Sequence, residues 1–303
     1  IHSPAHLLRA GVGPAPDLRA LGVEARAHLP GVGQRLMDHP AVAVAAWLRP
    51  HARILTDRTR RHMFVGLRYT SRLPGAPRGD MAIGVTSKTS WHAVGEQIGS
   101  FVVSVHKTYS ETGRVRLASR DWREHPTVEF NLLSDRRDLD RLMEGVRLSA
   151  ALHATEAMRA VTEGAFPASY SERAREADAG TRGNRLLIGA LARMLDGPAA
   201  LRSALVRRLV MGEFTLEGVL RDEEQLEAFC RKAAVGVWHA SCTCRMGDAD
   251  DPMAVTDPAG RVRGVEGLRV VDASVFPVLP RASTNLPTLM VAEKCAQAIL
   301  DGG

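Results

Sequence analysis

The sequence of 303 residues has few cysteines. The four that it contains, Cys230, Cys242, Cys244 and Cys295, are unevenly spaced. Small secreted domains held by disulfides carry denser and paired cysteines, so the sequence does not fit that class. This usage is typical of a reducing compartment, and we expect a cytoplasmic protein.

Lysine is also scarce, since the chain has only Lys88, Lys107, Lys232 and Lys294, and the net charge of +6 comes from arginine. Acidic residues are interspersed almost everywhere, and the arginine clusters at 58–62 and 206–210 are short and lack neighbouring aromatic residues. Nucleic-acid-binding surfaces concentrate positive charge on one face. We therefore expect no nucleic-acid partner and interpret the arginines as a solvated surface.

Long apolar runs are absent as well. The longest, near AVAVAAWL at 41–48, is far shorter than the roughly 20 residues that a membrane-spanning helix needs. A second run at 186–195 is interrupted by Arg193. We expect no transmembrane segment.

No phosphate-binding loop can be assigned either. GVGPAP at 11–16 and GVGQRL at 31–36 begin like the G-x-G-x-x-G fingerprint, but Pro16 and Leu36 occupy the place of the third glycine. Neither segment follows a predicted strand, which the fingerprint requires. The sequence as given therefore lacks a recognisable nucleotide-binding loop.

Short segments with partial alternation, separated by turns, predict strands in the first half of the chain. These predicted strands are 42–48, 81–86, 100–106, 113–119 and 127–131. Near the C-terminus, GLRVVDAS at 267–274 predicts one more short, buried strand.

Helices are predicted from caps and apolar spacing. Ser3 as N-cap with Pro4 predicts a first helix, and residues 15–23 predict a second that Gly22 ends. Ser134 and Asp222 are predicted to cap two longer helices, and residues 286–300 predict a last helix opened by Asn285 and Pro287. The apolar stripe of the helix after Asp222 consists of Leu226, Phe229, Cys230 and Ala233.

WHASCTCRMG at 238–247 concentrates one histidine and two cysteines in ten residues. Structural zinc sites commonly use cysteine pairs with two to four intervening residues, and thiol oxidoreductases use C-x-x-C at a helix start. The C-x-C spacing of Cys242 and Cys244 fits neither, so we expect no metal site. His239 remains as a candidate general base, since the pKa of a free imidazole is about 6.5.

Three ordered segments resemble the glucose–methanol–choline (GMC) oxidoreductases. They are the region SPAHLLRAGVGP to LPGVGQRLMDHP near the start, WHASCTCRMG followed by DPAGRVRGVEGLRVVDASVFP, and STNLPTLMVAEKC near the end. The first segment is similar to the family's second signature region. The second matches the family patterns H-P-x-G-T-C-R-M-G and V-x-G-V-x-G-L-R-V-V-D-A-S-V-x-P, and the third matches N-x-N-x-P-T-x-M-I-A-E-K. Matches of this length in this order are highly specific.

The resemblance implies an α/β and α+β fold, with part of a Rossmann-type FAD-binding domain and a substrate domain whose mostly antiparallel sheet is flanked by helices. It places 1–40 and 236–303 in a discontinuous, partial FAD-binding domain and 41–235 in the substrate-binding domain. Because the family's FAD fingerprint is absent, we expect that roughly the first 200 residues of a complete member are missing, judged from the usual size of such a domain. An isolated copy should bind FAD poorly, because the helix N-terminus that holds the pyrophosphate is lost.

The resemblance also implies site residues. His239 corresponds to the catalytic histidine that abstracts a proton from an alcohol, and Asn285 corresponds to its partner. Asp272 and Ala273, at the end of the predicted strand, are expected beside the FAD, and the helix that begins with Leu286, Pro287 and Thr288 would direct its positive end at the flavin. The alcohol, the electron acceptor and the oligomeric state stay open.

Two positions depart from the family pattern. Ala240 stands where the family usually has proline, and Cys242 stands where it usually has glycine. Loss of that glycine would tighten the backbone near the flavin. Two other hypotheses stay open at this point: a non-catalytic remnant or binding fragment of such an enzyme, and a zinc-binding module.

Overall fold

The computed structural model describes residues 1–168, 182–198, 202 and 214–301. The chain forms two compact units. Unit 1 comprises residues 1–39, 106–138 and 236–303, and unit 2 comprises residues 40–105 and 139–235. Which unit binds flavin and which binds substrate stays a prediction. The arginine cluster at 206–210 lies outside the described residues.

The α-helices of the described residues, in chain order, are α1 His2–Arg9, α2 Ala15–Ala20, α3 Arg136–His153, α4 Glu156–Val161, α5 Arg182–Leu195, α6 Leu216–Arg221, α7 Glu223–Ala233 and α8 Asn285–Leu300. Short 3-10 helices span Pro50–Ala52, Gly95–Gln97 and Ala273–Val275. Within the described residues, no helix combines the length and the apolar character needed to cross a membrane.

The strands are β1 Val12–Gly13, β2 Ala27–His28, β3 Gln34–Leu36, β4 Pro40–Leu48, β5 Met63–Tyr69, β6 Met81–Thr86, β7 Ile98–Val105, β8 Gly113–Arg116, β9 Thr127–Glu129, β10 Thr162–Ala168 and β11 Val235–Gly236. The fold is thus mixed α and β with mostly antiparallel sheets, as the resemblance to the GMC family implies.

Unit 1 contains two small sheets. In one, β1 and β2 pair in parallel, and in the other β3, β8 and β9 follow one another in antiparallel pairing. A core of small and branched apolar residues joins these sheets to α1 and to the 255–275 segment. Its buried members include Leu7, Leu8, Leu18, Cys244, Val255, Val262 and Val275.

Unit 2 is built on an antiparallel sheet with the strand order β10-β4-β7-β6-β5. The inner strands β4 and β7 are buried along almost their whole length. The apolar face of α3 is fully buried through Leu139, Leu142, Met143 and Val146. The i, i+3, i+4, i+7 spacing of these four residues predicts that buried stripe.

The predicted strands of the first half are confirmed as β4, β6, β7, β8 and β9. Six strands of the described residues were not predicted: the two- and three-residue strands β1, β2, β3 and β11, and the longer strands β5 and β10. The edge strand β5 is exposed over nearly all of its length, so it has no apolar alternation to detect. In β10, Gly164 and Pro167 weaken the strand signal, and a register irregularity interrupts its pairing with β4.

The strand predicted at 267–274 is wrong. Only Arg269 forms a bridge, to Arg261, and the 3-10 helix Ala273–Val275 follows. The backbone N–H of Val270 donates to the carbonyl of Gly260, which belongs to a turn. A continuous ladder does not form because the partner here is a loop.

Two of the predicted caps are also wrong. Ser3 lies inside α1, whose N-cap is Ile1, and the Ser3 hydroxyl donates to the carboxylate of Asp272 instead. The third helix begins at Arg136, and the Asp135 carboxylate accepts the backbone N–H of Arg137 at 2.9 Å. An aspartate next to the helix start satisfies the same free N–H groups as the predicted Ser134 cap would. The cap at Asp222 is confirmed, since its side chain accepts the N–H groups of Glu224 and Gln225.

A buried ion pair lies in unit 2. Arg141, on α3, donates from Nε to Asp80 Oδ2 at 2.7 Å, and both side chains are almost completely buried. Ser71 donates to the same carboxylate from its backbone N–H and from its hydroxyl, at 2.8 and 2.6 Å. These bonds compensate the loss of hydration that burial of Asp80 entails.

We expect Arg141→Met to lower the free energy of unfolding by about 3–5 kcal/mol, because it leaves the buried Asp80 carboxylate without its counter-charge. Chemical denaturation of the purified protein measures this. Arg221→Met is the matched control, since Arg221 pairs with Glu217 where both side chains are largely exposed. The control should change stability by less than about 1 kcal/mol, and equal effects of the two variants would contradict the assignment.

Candidate active site

The segment that carries His239 is held in unit 1 by backbone pairing on two sides. Met37 and Ser241 form an antiparallel bridge, with N–H to carbonyl distances of 3.1 and 3.0 Å. Further along, Cys242 and Cys244 donate their N–H groups to carbonyls of the Ala273–Val275 turn at 3.2 and 2.8 Å. His239 therefore lies beside two fixed elements rather than on a free loop.

The carboxylate of Asp38 adds a third restraint. Its Oδ1 accepts the backbone N–H of His39 at 2.7 Å and that of His239 at 3.0 Å. The backbones of Val237 and Trp238 also help to hold down the pKa of this carboxyl group, while the Val237 N–H donates to the carbonyl of His39 at 3.2 Å. Several consecutive N–H groups converging on one anion form a backbone nest. One side chain thus binds the main chain of both histidines.

Glycine is required next to this nest. A Cβ atom at Gly236 would lie 2.3 Å from Asp38 Oδ2, so any other residue would displace the carboxylate. The segment is also strained at Trp238, which has a φ of 60° although its side chain is 88% exposed. A left-handed conformation at a bulky residue is uncommon and persists only where the surroundings enforce it.

Three imidazoles meet at this point. His39 Nδ1 lies 2.8 Å from His239 Nδ1, and the two rings are nearly perpendicular, with centroids 5.0 Å apart. His39 also stacks on His106, with centroids 4.7 Å apart and planes 15° from parallel. On its other side, His39 Nε2 contacts the carbonyl oxygen of Pro280 at 3.0 Å.

Burial determines the charge of these groups. Loss of hydration lowers the pKa of the half-buried His239, which favours the neutral, proton-accepting form. Burial, reinforced by the neighbouring His106 and His239, lowers the pKa of His39 to about 3, so this ring is neutral at ordinary pH. Burial also raises the pKa of Asp38 to about 6, against the effect of the N–H groups that bind it.

The structure does not join Asn285 to His239. Asn285 is the first residue of α8 and is exposed, and its side chain makes no hydrogen bond to any described residue. Leu286 is also exposed, and Thr288 donates its hydroxyl to the carbonyl of Thr284 at 2.7 Å. The role of Asn285 as partner of His239 stays a prediction.

Asp272 and Ala273 lie where the segment enters the 3-10 turn. The Asp272 carboxylate accepts the backbone N–H of Ser274 at 2.7 Å and the hydroxyl of Ser3. Burial alone would raise the pKa of Asp272, but these bonds together keep it below its usual range. Asp272 therefore anchors α1 to the turn whose carbonyls hold Cys242 and Cys244.

The cysteines are packing residues. All four are free and buried. Burial raises the pKa of both the Cys242 and the Cys244 thiol to about 12, so both stay protonated and unreactive. Among the described residues, no group of three or more His, Cys, Asp or Glu side chains is arranged to hold a metal ion.

Cys242 has an unusual backbone. Its φ is 73°, in the left-handed region, and its side chain is fully buried against Met37, Phe276 and Leu279. Glycine is usual at this position in the family that the chain resembles. The conformation explains that preference, since glycine adopts positive φ without a steric cost.

Three residues of this site, Asp38, His39 and His106, were not predicted from the sequence. The segment MDHP at 37–40 contributes to the family resemblance, but the sequence analysis assigns no role to its Asp-His pair, which is a concentration of titratable groups at the start of a strand. That pair was the available signal. No sequence pattern indicates that His106 stacks on His39.

Comparison with known proteins gives a family and many relatives. A GMC oxidoreductase family model matches residues 108–292. The chain is 39% identical over 302 residues to 5-(hydroxymethyl)furfural oxidase from Methylovorus sp. (strain MP688), covering 99% of this chain and 49% of the relative. It is 30% identical over 321 residues to mitochondrial choline dehydrogenase from Homo sapiens, covering 99% and 46%. The chain thus spans about half the length of the curated relatives it matches.

Solved structures share the fold. Pyridoxine 4-oxidase from Mesorbium loti superposes with a TM-score of 0.72 at 20% identity, covering 98% of this chain and 49% of that structure. A variant of formate oxidase from Aspergillus oryzae, studied for modification of its FAD, superposes with a TM-score of 0.73 at 19% identity, covering 98% and 52%. At these identities the similarity shows the fold alone.

The left-handed backbone at Cys242 predicts that glycine is more stable than alanine at this position, the reverse of the usual order. We expect Cys242→Gly to be more stable than Cys242→Ala by about 1 kcal/mol, because both lose the thiol packing but only glycine relieves the left-handed strain. Chemical denaturation measures both. The same pair of changes at Cys244, which is equally buried and has no positive φ, should give the ordinary order with alanine more stable. The same order at both positions would contradict this account.

The raised pKa of Asp38 predicts a pH dependence of stability. A carboxylate whose pKa is higher in the folded state contributes stability below its ordinary value of 3.8, and loses that contribution as pH rises through about 6. Asp38→Asn cannot ionise, so its stability relative to wild type should rise between pH 4 and pH 7. At 1.36 kcal/mol per pKa unit the change is up to about 3 kcal/mol.

Denaturation curves at several pH values for both proteins test this prediction. Only the difference between the two proteins is compared, so the titration of His39 and the other histidines cancels. Asp17→Asn, at an exposed position, controls for the loss of one carboxylate. Parallel pH dependences of wild type and Asp38→Asn would show that Asp38 titrates normally in the folded protein.

Proposed function

The chain belongs to the GMC oxidoreductase family, and on that premise we propose that it supplies the catalytic base of an FAD-dependent enzyme that oxidises the CH–OH group of a small alcohol to a carbonyl. The observation that carries the proposal is His239, a half-buried imidazole with a lowered pKa that is fixed through its backbone and its ring. The relatives named above support the substrate class, because 5-(hydroxymethyl)furfural and choline each carry a primary alcohol.

Oxidation of an alcohol removes a proton from oxygen and a hydride from carbon. The neutral His239 ring takes the proton, and a base with a pKa near or below the working pH is suited to that transfer. We assign to Asn285 the role of donating a hydrogen bond to the same oxygen, which orients the alcohol without competing for its proton. The alcohol class that we propose is a primary alcohol, of which choline is one member.

The residues at the start of α8 fit a flavin. The helix has 16 residues, so the N–H groups of its first turn carry the positive end of a full helix dipole. Leu286 is 74% exposed, which leaves apolar surface for a flat ring system. FAD bound here would supply the acceptor for the hydride.

Five residues are assigned to the flavin site, with different tasks. The Asp272 carboxylate is already bonded to Ser3 and Ser274, so it would act by holding the 3-10 turn rather than by direct contact. The first turn of α8 would present its N–H groups. The residues of the proposed site are Asp272, Ala273, Leu286, Pro287 and Thr288.

Replacement of His239 tests the function. We expect His239→Ala in the full-length gene product to lower kcat for a primary alcohol by about 10²- to 10⁴-fold, because the general base is lost, with flavin content and thermal stability close to wild type. Stopped-flow measurement of flavin reduction isolates the chemical step. His125→Ala, at an exposed histidine, is the matched control and should keep full activity.

Two outcomes would oppose the proposal. Turnover of His239→Ala within about threefold of wild type would exclude His239 as the base. A wild-type protein that binds flavin fully but oxidises none of a panel of primary alcohols would instead favour the non-catalytic alternative.

A further inference from the structure

We propose that His39 fixes the tautomer of His239 and so determines which ring nitrogen of His239 is the base. His39 is thereby a positioning residue, since it acts through another histidine. This inference rests on the proposed function. It is carried by the hydrogen bonds that link Pro280, His39 and His239 in one direction.

The carbonyl of Pro280 determines the direction of donation along these hydrogen bonds. Its oxygen lies 3.0 Å from His39 Nε2, and a carbonyl oxygen only accepts hydrogen bonds. The proton of the neutral His39 ring is therefore on Nε2. His39 is fully buried, and its low pKa keeps it neutral, so Nδ1 holds a lone pair.

The second hydrogen bond then has only one arrangement. His39 Nδ1 and His239 Nδ1 are 2.8 Å apart, so one proton lies between them. Because His39 Nδ1 is the acceptor, the proton belongs to His239 Nδ1. The other nitrogen of His239, Nε2, therefore carries the lone pair and is the atom that accepts the alcohol proton.

The surroundings keep this arrangement in place. Asp38 binds the backbone N–H groups of both His39 and His239, so the two rings are fixed relative to each other at their main chains. His106 stacks on the His39 ring and limits its rotation. The titratable groups that face His39 are thus Asp38, His106 and His239. The backbone carbonyls of Pro280 and His106 also face its ring.

The same hydrogen bond also stabilises the protonated form of His239. When His239 has accepted the alcohol proton at Nε2, its Nδ1–H still donates to His39, and that bond is now charge-assisted. His39 has no proton to release toward His239 and stays neutral. The imidazolium of His239 is thus stabilised by a neutral ring, and within the described part of the chain no carboxylate forms a hydrogen bond with the His239 ring.

Two variants of His39 separate the hydrogen bond from simple packing. Asparagine and leucine have similar shapes, but only the amide oxygen that His39→Asn introduces can accept the His239 Nδ1–H in place of His39 Nδ1. We expect His39→Leu to lower kcat for flavin reduction by about 10- to 100-fold, with KM within about threefold of wild type, since part of the general-base contribution is lost. His39→Asn should recover most of this loss.

The pH profile gives a readout that a purely structural role would not move. A hydrogen bond to the charged form of a base is stronger than one to its neutral form, so its loss lowers the pKa of His239. The acid limb of kcat/KM should therefore shift to lower pH in His39→Leu, by about half a unit to one unit. In His39→Asn it should stay near wild type.

The outcomes distinguish the two proposals. If His239→Ala abolishes activity but His39→Leu and His39→Asn behave alike, the function stands and the tautomer inference is overturned. If His239→Ala keeps activity, the proposed function itself fails. Flavin content and thermal stability are measured for every variant, and His125→Asn is the control for a histidine-to-amide change at an exposed site.

A measurement on the wild-type protein covers the case in which His39→Leu does not fold. Nitrogen-15 NMR of histidine-labelled protein distinguishes protonated from unprotonated ring nitrogens. We expect His39 protonated at Nε2 and His239 protonated at Nδ1 near neutral pH. The opposite pattern at His239 would overturn the inference without any variant.

Discussion

The arrangement of the candidate site depends on one buried carboxylate. Asp38 binds the backbone N–H groups of His39 and His239, which are 200 residues apart in the chain. Without this anion, the N–H groups that converge here would lack a partner in a region from which water is largely excluded. The carboxylate loses hydration in exchange, and its raised pKa records that cost. Stability is thus given up to fix the positions of two imidazoles.

Other departures from local preference lie on the same segment. Trp238 and Cys242, on either side of His239, both have positive φ. The bonds to Asp38 at one end and to the Ala273–Val275 turn at the other hold these conformations. Strained backbone on both sides of one titratable residue is typical of a functional position.

Much of the fold follows from patterns that are visible in the sequence. Alternating short segments predicted five strands of the first half, and apolar spacing predicted the buried faces of α3 and α7. The prediction failed where local pattern and tertiary environment disagree. The exposed strand β5 shows no apolar alternation, and the apolar run at 267–274 has a loop rather than a strand as its neighbour. Ser3 fits a helix cap, but its hydroxyl donates to Asp272, which lies 269 residues away.

By itself the sequence determined the chemistry of the site, because residue type fixes what a side chain can do. WHASCTCRMG contains the proposed base, and its C-x-C spacing argues against a metal or a redox pair. Only the tertiary structure decided how that base is controlled. It brought His39 to His239 and stacked His106 on His39, and it placed the backbone carbonyl of Pro280 where it orders the protons of two rings. Every residue has a carbonyl, so no sequence pattern can show which one lies beside a given imidazole.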